Sequence, residues 1–488
     1  MTALTRRQFL QYTAALGALG SLGSLANCAG SGSGAPGPAI LPPPPPLGID
    51  ALIADTQQRT FRFFWETTEA ARGLAPDLAP EAAPASIAAM GFALTAIPIG
   101  IEHGWITRAQ GVERVLNTLV FLRDAPQGGA ATGMSGHHGF FYHFLEMSSG
   151  TRYRDSELSS IDTALLMMGV RACVQYFTGS DGNETSLRTF GDALCERVEW
   201  RWFQNGTAGI NFGWRPETGF MNDNWRGYNE AIPIFLLALG SSANAVDPAA
   251  WADWTSTYPQ SWGTLQGVEH LTFGPLFGHQ YTQVWMDMRG IKDAYMAGKG
   301  IDYFENSRRA VLSQRAYAIA NPLGWRGYGA DIWGLSASDG PSDSVQTYRG
   351  ESRQFHTYAG RGVGLNSANN YDDGTLTPTA PIASLPFAPE LAKPAMAAMY
   401  QRYGSAIYGP YGFLDSYNPS FQYSVPLVSG RLVNGLGWVD TRYYGINQGP
   451  IVAMIENQRS ELLWRLSRTD PVLRRGLTRA GFTGGWLA

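Results

Sequence analysis

Apolar positions along the chain fall into two kinds of run. Residues 86–101, 160–177 and 231–239 are apolar on nearly every face. Residues 53–65, 107–122, 304–320 and 448–466 instead carry apolar side chains at helical spacing, as in Val112, Val115, Leu116 and Leu119. Both kinds have the helical period. A helix apolar all round must be enclosed by other helices, whereas an amphipathic one covers the outside. Their alternation predicts an all-α fold of helical hairpins in two concentric layers. The residues after position 47 suffice for twelve helices of about 37 residues each, connections included. The predicted architecture is an (α/α)6 toroid, with a generic multi-helix domain as the plainer alternative. Its Gly-, Asn- and Tyr-rich connections at 136–143, 211–229, 328–343, 371–389 and 408–419 are where function is expected.

Composition narrows the chemistry. Lys and Arg number 36 against 40 Asp and Glu, a net charge of −4. That balance excludes nucleic acid and an anionic membrane surface as electrostatic partners. Charged residues are only 16%, while 15 Trp, 22 Tyr and 23 Phe bring aromatics to 12%. Such side chains line grooves that stack on the apolar faces of sugars.

The N-terminus reads as an address. Thr5-Arg6-Arg7-Gln8-Phe9-Leu10 is a twin-arginine pattern followed by an apolar run too short and too Gly-rich to span a membrane. Leu25-Ala26-Asn27-Cys28 resembles a lipobox, with Asn27 departing from the usual small residue. Residues 1–28 are expected to be an export signal with Cys28 as the lipidated residue. Residues 29–48, ending in the Pro42–Pro46 run, are a tether, and 49–488 the globular body. The expected location is the periplasm or the outer membrane, with membrane contact only through that anchor. Cys173 and Cys195 read as buried thiols, although export permits a disulfide. No zinc spacing and no glycine-rich phosphate loop occurs, so neither a metal nor a cofactor is expected.

Several carboxylates stand where the pattern would not spend a charge. Glu157 and Asp162 flank Leu158-Ser159-Ser160-Ile161, where a serine caps a helix and Asp162 falls in its first turn. Glu230 closes Trp225-Arg226-Gly227-Tyr228-Asn229 and is followed at once by an apolar helix with Pro233 near its start. There burial favours the protonated form and the helix N-terminus opposes it; burial is the larger effect if aromatics seal the site. Asp415 sits in an aromatic loop with Tyr411. Asp287 has Arg289 two positions on, which marks it as an ionised anchor, and Asp339 reads as a turn residue. Carboxylates spread over aromatic loops fit glycoside hydrolysis, which needs one protonated acid and one ionised carboxylate. His137, His138, His279 and Gln280 would meet sugar hydroxyls.

These residues resemble the bacterial glycoamylase-like family, which includes the endo-β-1,2-glucanases of glycoside hydrolase family 144. The likeness runs through Gly139-Phe140-Phe141-Tyr142-His143-Phe144-Leu145, Glu157 to Leu165, and Gly227-Tyr228-Asn229-Glu230-Ala231. It continues in Phe277-Gly278-His279-Gln280-Tyr281, Trp333-Gly334-Leu335-Ser336-Ala337-Ser338-Asp339, and Gly445-Ile446-Asn447-Gln448-Gly449-Pro450. The resemblance implies an (α/α)6 toroid acting on β-1,2-linked glucan by an inverting route. Glu230 is the expected general acid, with Asp415 the first choice for base and Asp162 the second. Glu157, Trp225, Tyr228, His137, His279, Gln280, Asp287, Arg289, Trp333 and Tyr411 are expected at sugar subsites. Three alternatives stay open: exo action on glucooligosaccharides, transglycosylation, and a non-catalytic glucan-binding envelope lipoprotein. A lyase is disfavoured, because the candidate loops carry acids where a cationic cleft is required.

Overall fold

The computed structural model describes residues 44–365 and 370–488, so the twin-arginine pattern, Cys28 and most of the tether lie outside the described residues. Outer and inner helices alternate along the chain. α1 (Ile49–Thr67) leads to α2 (Ile87–Glu102), α3 (Arg108–Asp124) to α4 (Ser160–Tyr176), and α5 (Gly182–Glu196) to α6 (Ile232–Gly240). α7 (Ala249–Thr255) leads to α8 (Phe277–Trp285), α9 (Tyr303–Ala320) to α10 (Thr379–Ile382), and α11 (Pro389–Ile407) to α12 (Gly445–Ser460). The even-numbered helices form the inner layer. Every residue is buried from Ile87 to Gly100, from Ser160 to Val174, through all of α6, α8 and α10, and from Gly445 to Asn457. Outer α1 buries one face only, through Leu52, Thr56, Phe61, Phe63 and Phe64. The result is an (α/α)6 toroid.

Each hairpin goes out along an outer helix and returns along an inner one, so the inner helices run parallel. Their N-terminal ends therefore gather at one rim of the ring. α12 packs on α2, α2 on α4 and α4 on α6. Tyr443–Tyr444, just before α12, pairs antiparallel with Leu78–Ala79 and closes the ring. The α2–α4 crossing brings backbones into contact. A Cβ on Gly169 would stand 2.1 Å from the Gly91 carbonyl oxygen, and one on Gly91 2.4 Å from that of Leu165.

The run at 448–466, expected as a single amphipathic helix of the outer layer, departs on both counts: its first part is enclosed in the inner layer, because α1, α2 and α8 pack around it. The run breaks at Glu461, which takes a left-handed φ of 57°, into α12 and α13 (Leu462–Thr469). α14 (Pro471–Arg479) then packs across α6. The end of the tether lies against the body, where Tyr400 Oη donates to the Pro45 carbonyl at 3.1 Å.

At the rim the connections form a small antiparallel ribbon. β1 (Gly136–His137) pairs with β2 (Phe140–Phe141), and β3 (Leu158–Ser159) with β4 (Gly213–Arg215). β4 pairs in turn with β5 (Gly219–Phe220), and a Tyr142–Leu158 bridge joins the two halves.

Replacing Gly169 by Ala is expected to destabilise the fold by about 1–3 kcal/mol or more, because the obstructing atom is backbone and cannot rotate away. A urea unfolding midpoint indistinguishable from the parent protein would contradict this account of the crossing.

Candidate active site

Ser159 ends β3 and caps α4. Its Oγ accepts from the Asp162 amide at 3.0 Å and donates to the Asp162 carboxylate. His143 stands between two carboxylates, Nδ1 3.2 Å from Glu157 Oε1 and Nε2 3.7 Å from Asp162 Oδ1. Arg215, on the neighbouring strand, reaches Glu157 Oε2 at 3.5 Å. Glu157, Asp162 and His143 are buried. The sequence brought Glu157 and Asp162 into view, but not the imidazole and the guanidinium that hold them.

Glu230 lies immediately before α6 and is only 2% exposed. The loop that carries it is fastened to the start of α4, because Trp225 Nε1 donates to Ser160 Oγ at 2.8 Å. Gly227 permits the turn with a φ of 79° and donates to the Trp254 carbonyl at 2.7 Å. Asn229 Oδ1 accepts from the Ala231 amide at 2.9 Å, which closes the turn into the helix. Tyr228 packs between Tyr303 and His279, at ring separations of 6.0 and 5.0 Å.

A second cluster gathers Asp339, Asp415 and Asp440. Asp415 Oδ2 accepts from the Asp339 amide at 2.9 Å, and its Oδ1 accepts from Asn447 Nδ2 at 2.6 Å, in the first turn of α12. The Asp339 carboxylate accepts from Arg442 and, at 3.0 Å, from Tyr444 Oη. Arg442 Nε stands 3.5 Å from Asp440 Oδ1. One guanidinium cannot balance three buried carboxylates, so protons stay on the cluster. Burial pushes all three carboxyls up, against the pull of Arg442 on Asp339. Burial, aided by the Asp339 charge, raises Asp415 to about 7, the range that suits a base at neutral pH. The expectation that Asp339 is merely a turn residue gives way: its amide and carboxylate organise this cluster. Asp440, Arg442 and Tyr444 were not singled out from sequence. Their i, i+2, i+4 spacing before an apolar helix carried the signal, since alternate residues of an extended segment share a face.

Other expected subsite residues are committed to the scaffold. Asp287 and Arg289 follow the C-terminal end of α8, where Arg289 Nε meets Asp287 Oδ1 at 2.8 Å and Arg468 also pairs with Asp287. Arg289 Nη1 meets Glu461 at 2.8 Å, at the end of α12 remote from Asn447. Asn447 and Glu461 are fourteen steps apart along the helix, about 21 Å along the axis. The pair thus belongs to the opposite rim from Asp415. His279 is buried, with Nε2 3.2 Å from the Phe273 carbonyl, and desolvation holds its pKa down at about 3, so it is neutral. Gln280 Nε2 donates to Ala380 O at 2.7 Å and to Ser384 Oγ at 2.9 Å, tying α8 to α10. Trp333 is fully buried in the core, and Trp225 has used its N–H on Ser160. Tyr411 packs against Phe63 of α1 and against Tyr443. His137 lies in the ribbon at the rim, beside Trp202 and Trp214. Among the described residues no three His, Cys, Asp or Glu side chains are arranged to hold a metal ion.

The Asp339 backbone is itself clamped. Arg361, fully buried, pairs with Asp373 through bonds of 2.7 and 2.9 Å and donates to the Ser338 carbonyl at 2.8 Å. Changing Arg361 to Met is expected to cost about 3–5 kcal/mol in denaturant unfolding, because Asp373 is left buried without its partner charge. Adding Asp373→Asn should recover part of that loss, and no recovery would show that the pair is not the source of it.

A family profile described as "Putative glucoamylase" matches residues 222–471, half of the chain. The chain is 31% identical to a "putative glucoamylase" from Bacteroides uniformis of known structure, with a TM-score of 0.77 over 91% of this chain and 100% of that one. It is 28% identical to the endo-β-1,2-glucanase from Chitinophaga pinensis, solved with sophorotriose and glucose, at a TM-score of 0.76 over 90% of this chain and 100% of that one. A curated exo-β-1,2-glucooligosaccharide sophorohydrolase (non-reducing end) from Parabacteroides distasonis is 28% identical over 89% of this chain; the match spans 58% of that protein's length. Fold, rim carboxylates and these likenesses agree, and the chain belongs to the bacterial glycoamylase-like family.

Proposed function

We propose that the protein hydrolyses β-1,2-linked glucan by an endo-acting, inverting route. The observation that carries this reading is the presence, at the rim where the inner helices begin, of a buried acid on a fastened loop and a separate aspartate cluster that retains protons. Glu230 protonates the departing glycosidic oxygen. Asp415 takes the proton of the attacking water, relayed because both its oxygens are enclosed. Glu157, Asp162 and Arg215 hold sugar hydroxyls beside the reacting bond. Relatives that act on β-1,2-glucan and its oligosaccharides support this substrate. Exo release of sophorose is the second reading, favoured by the curated relative. Early products separated by thin-layer chromatography distinguish the two: a ladder of sizes for endo action, sophorose alone for exo. Export to the periplasm with a lipid on Cys28 belongs to the same proposal, and mass spectrometry of the mature N-terminus tests it.

Glu230→Gln is expected to lower kcat on β-1,2-glucan by about 10²–10⁴-fold. Full turnover would remove Glu230 from the role of acid. Rate should fall as pH drops below about 7, where Asp415 becomes protonated. Asp339→Asn removes a negative neighbour that raises Asp415, so this acid limb should move to lower pH. A limb that stays in place in the pH profile of kcat/KM would show that Asp415 is not the titrating base.

A further inference from the structure

The rim ribbon has a second face that the proposed chemistry does not use. Strand alternation puts Glu157, Ser159 and Arg215 on one side and Leu158, Trp214 and Phe220 on the other, with Trp214 opposite Leu158 and Phe220 opposite Trp214. His137, half-buried at the ribbon's other edge, adds its ring 5.2 Å from Trp214. Trp202, from the helical turn Trp200–Phe203, stands 5.6 Å from Trp214 and 4.8 Å from Phe220. His138 stacks on Trp202 at 4.2 Å and 24°.

Three features together suit this patch to a ligand. Trp202, Trp214 and Phe220 are half-buried, so ring surface remains in contact with water. Among the described residues neither the Trp202 nor the Trp214 indole N–H has a protein acceptor; Trp254, Trp325 and Trp333 also lack one, but those three are enclosed in the core while Trp202 and Trp214 are half-buried. The β1–β2 turn takes a positive φ at both central residues, 52° at His138 and 79° at Gly139, as a two-residue hairpin loop does. That turn brings His138 onto Trp202 and within 2.9 Å of Glu199, whose carboxylate is 48% exposed. The platform is also held rigid: Arg152 grips Glu217 in the β4–β5 turn through bonds of 2.6 and 3.0 Å, and Arg215 Nε donates to the Asp155 carbonyl at 3.1 Å.

We infer that Trp202, Trp214, Phe220, His137 and His138 form an accessory glucan-binding platform that engages glucosyl units beyond those held at the rim carboxylates. Flat aromatic faces match the apolar faces of pyranose rings, two indole N–H groups donate to hydroxyls, and Glu199 accepts from them. Continuity with the cleft is covalent. Arg215 contacts Glu157 on the inner face while its neighbour Trp214 belongs to the outer face, so a chain leaving the carboxylates past Arg215 crosses the ribbon edge onto Trp214. The inference rests on the proposed glucan substrate and adds a dependence on chain length.

The test uses the full mature chain carrying Glu230→Gln, so that ligand survives. Affinities for sophorotriose and for long β-1,2-glucan are measured with and without Trp202→Ala and Trp214→Ala together. The ratio of long-chain to short-chain affinity is expected to fall about tenfold in the double variant. His138→Asn, which keeps a residue tolerant of positive φ, guards against a folding artefact and is expected to lower the ratio about threefold. A ratio equal to that of the parent in both variants overturns the platform. Failure of the unsubstituted protein to release reducing ends from β-1,2-glucan would instead overturn the proposed substrate, and it is scored separately.

Discussion

A helix enclosed on every side has no water with which to satisfy a polar atom, and this constraint governs the molecule. Along the inner helices many of the polar side chains that do occur pair within the ring. Thr95 Oγ1 donates to the Gly91 carbonyl at 2.8 Å and accepts from Trp285 Nε1 at 2.9 Å, while Gln283 donates to Ser307 at 2.7 Å. Helix ends, by contrast, leave backbone groups without intrahelical partners. Since the inner helices run parallel, their N-terminal ends open onto one rim, and the acids of the site collect there.

The two clusters handle charge differently. Around Glu157 and Asp162, an imidazole and an arginine stand beside the carboxylates, and a serine both caps the helix and donates to Asp162. Around Asp415, Arg442 stands against three buried carboxyls, so the cluster settles its excess by keeping protons. The buried Arg361–Asp373 pair extends the second cluster into the scaffold, because it fixes the strand whose next amide binds Asp415.

The same logic separates residues that serve the rim from those that serve the ring. Gln280 and Trp225 resemble sugar-binding groups in composition, yet each has given its donors to a neighbouring helix or loop. They act by fixing where helix starts sit. Asp287 and Arg289 do comparable work at the opposite rim, where they bind α8 to α13.

The sequence by itself determined the all-α class, three of the inner helices and most of the acids, but it read the inner helix α12 as an outer one and left α8 and α10 unread. Uninterrupted apolar runs could only be inner helices; Glu157, Asp162 and Glu230 stood out as charges beside such runs, and Asp415 as one in an aromatic loop. Local spacing also contained, unread, the Asp440–Arg442–Tyr444 alternation. Tertiary structure alone decided which acids share protons and which rim each faces. Asp339 and Asp415 are 76 positions apart, and only ring closure puts an amide of one on the carboxylate of the other. Asp287 and Glu230 are both buried acids beside inner helices. One follows its helix and the other precedes it, so the parallel ring sends them to opposite rims.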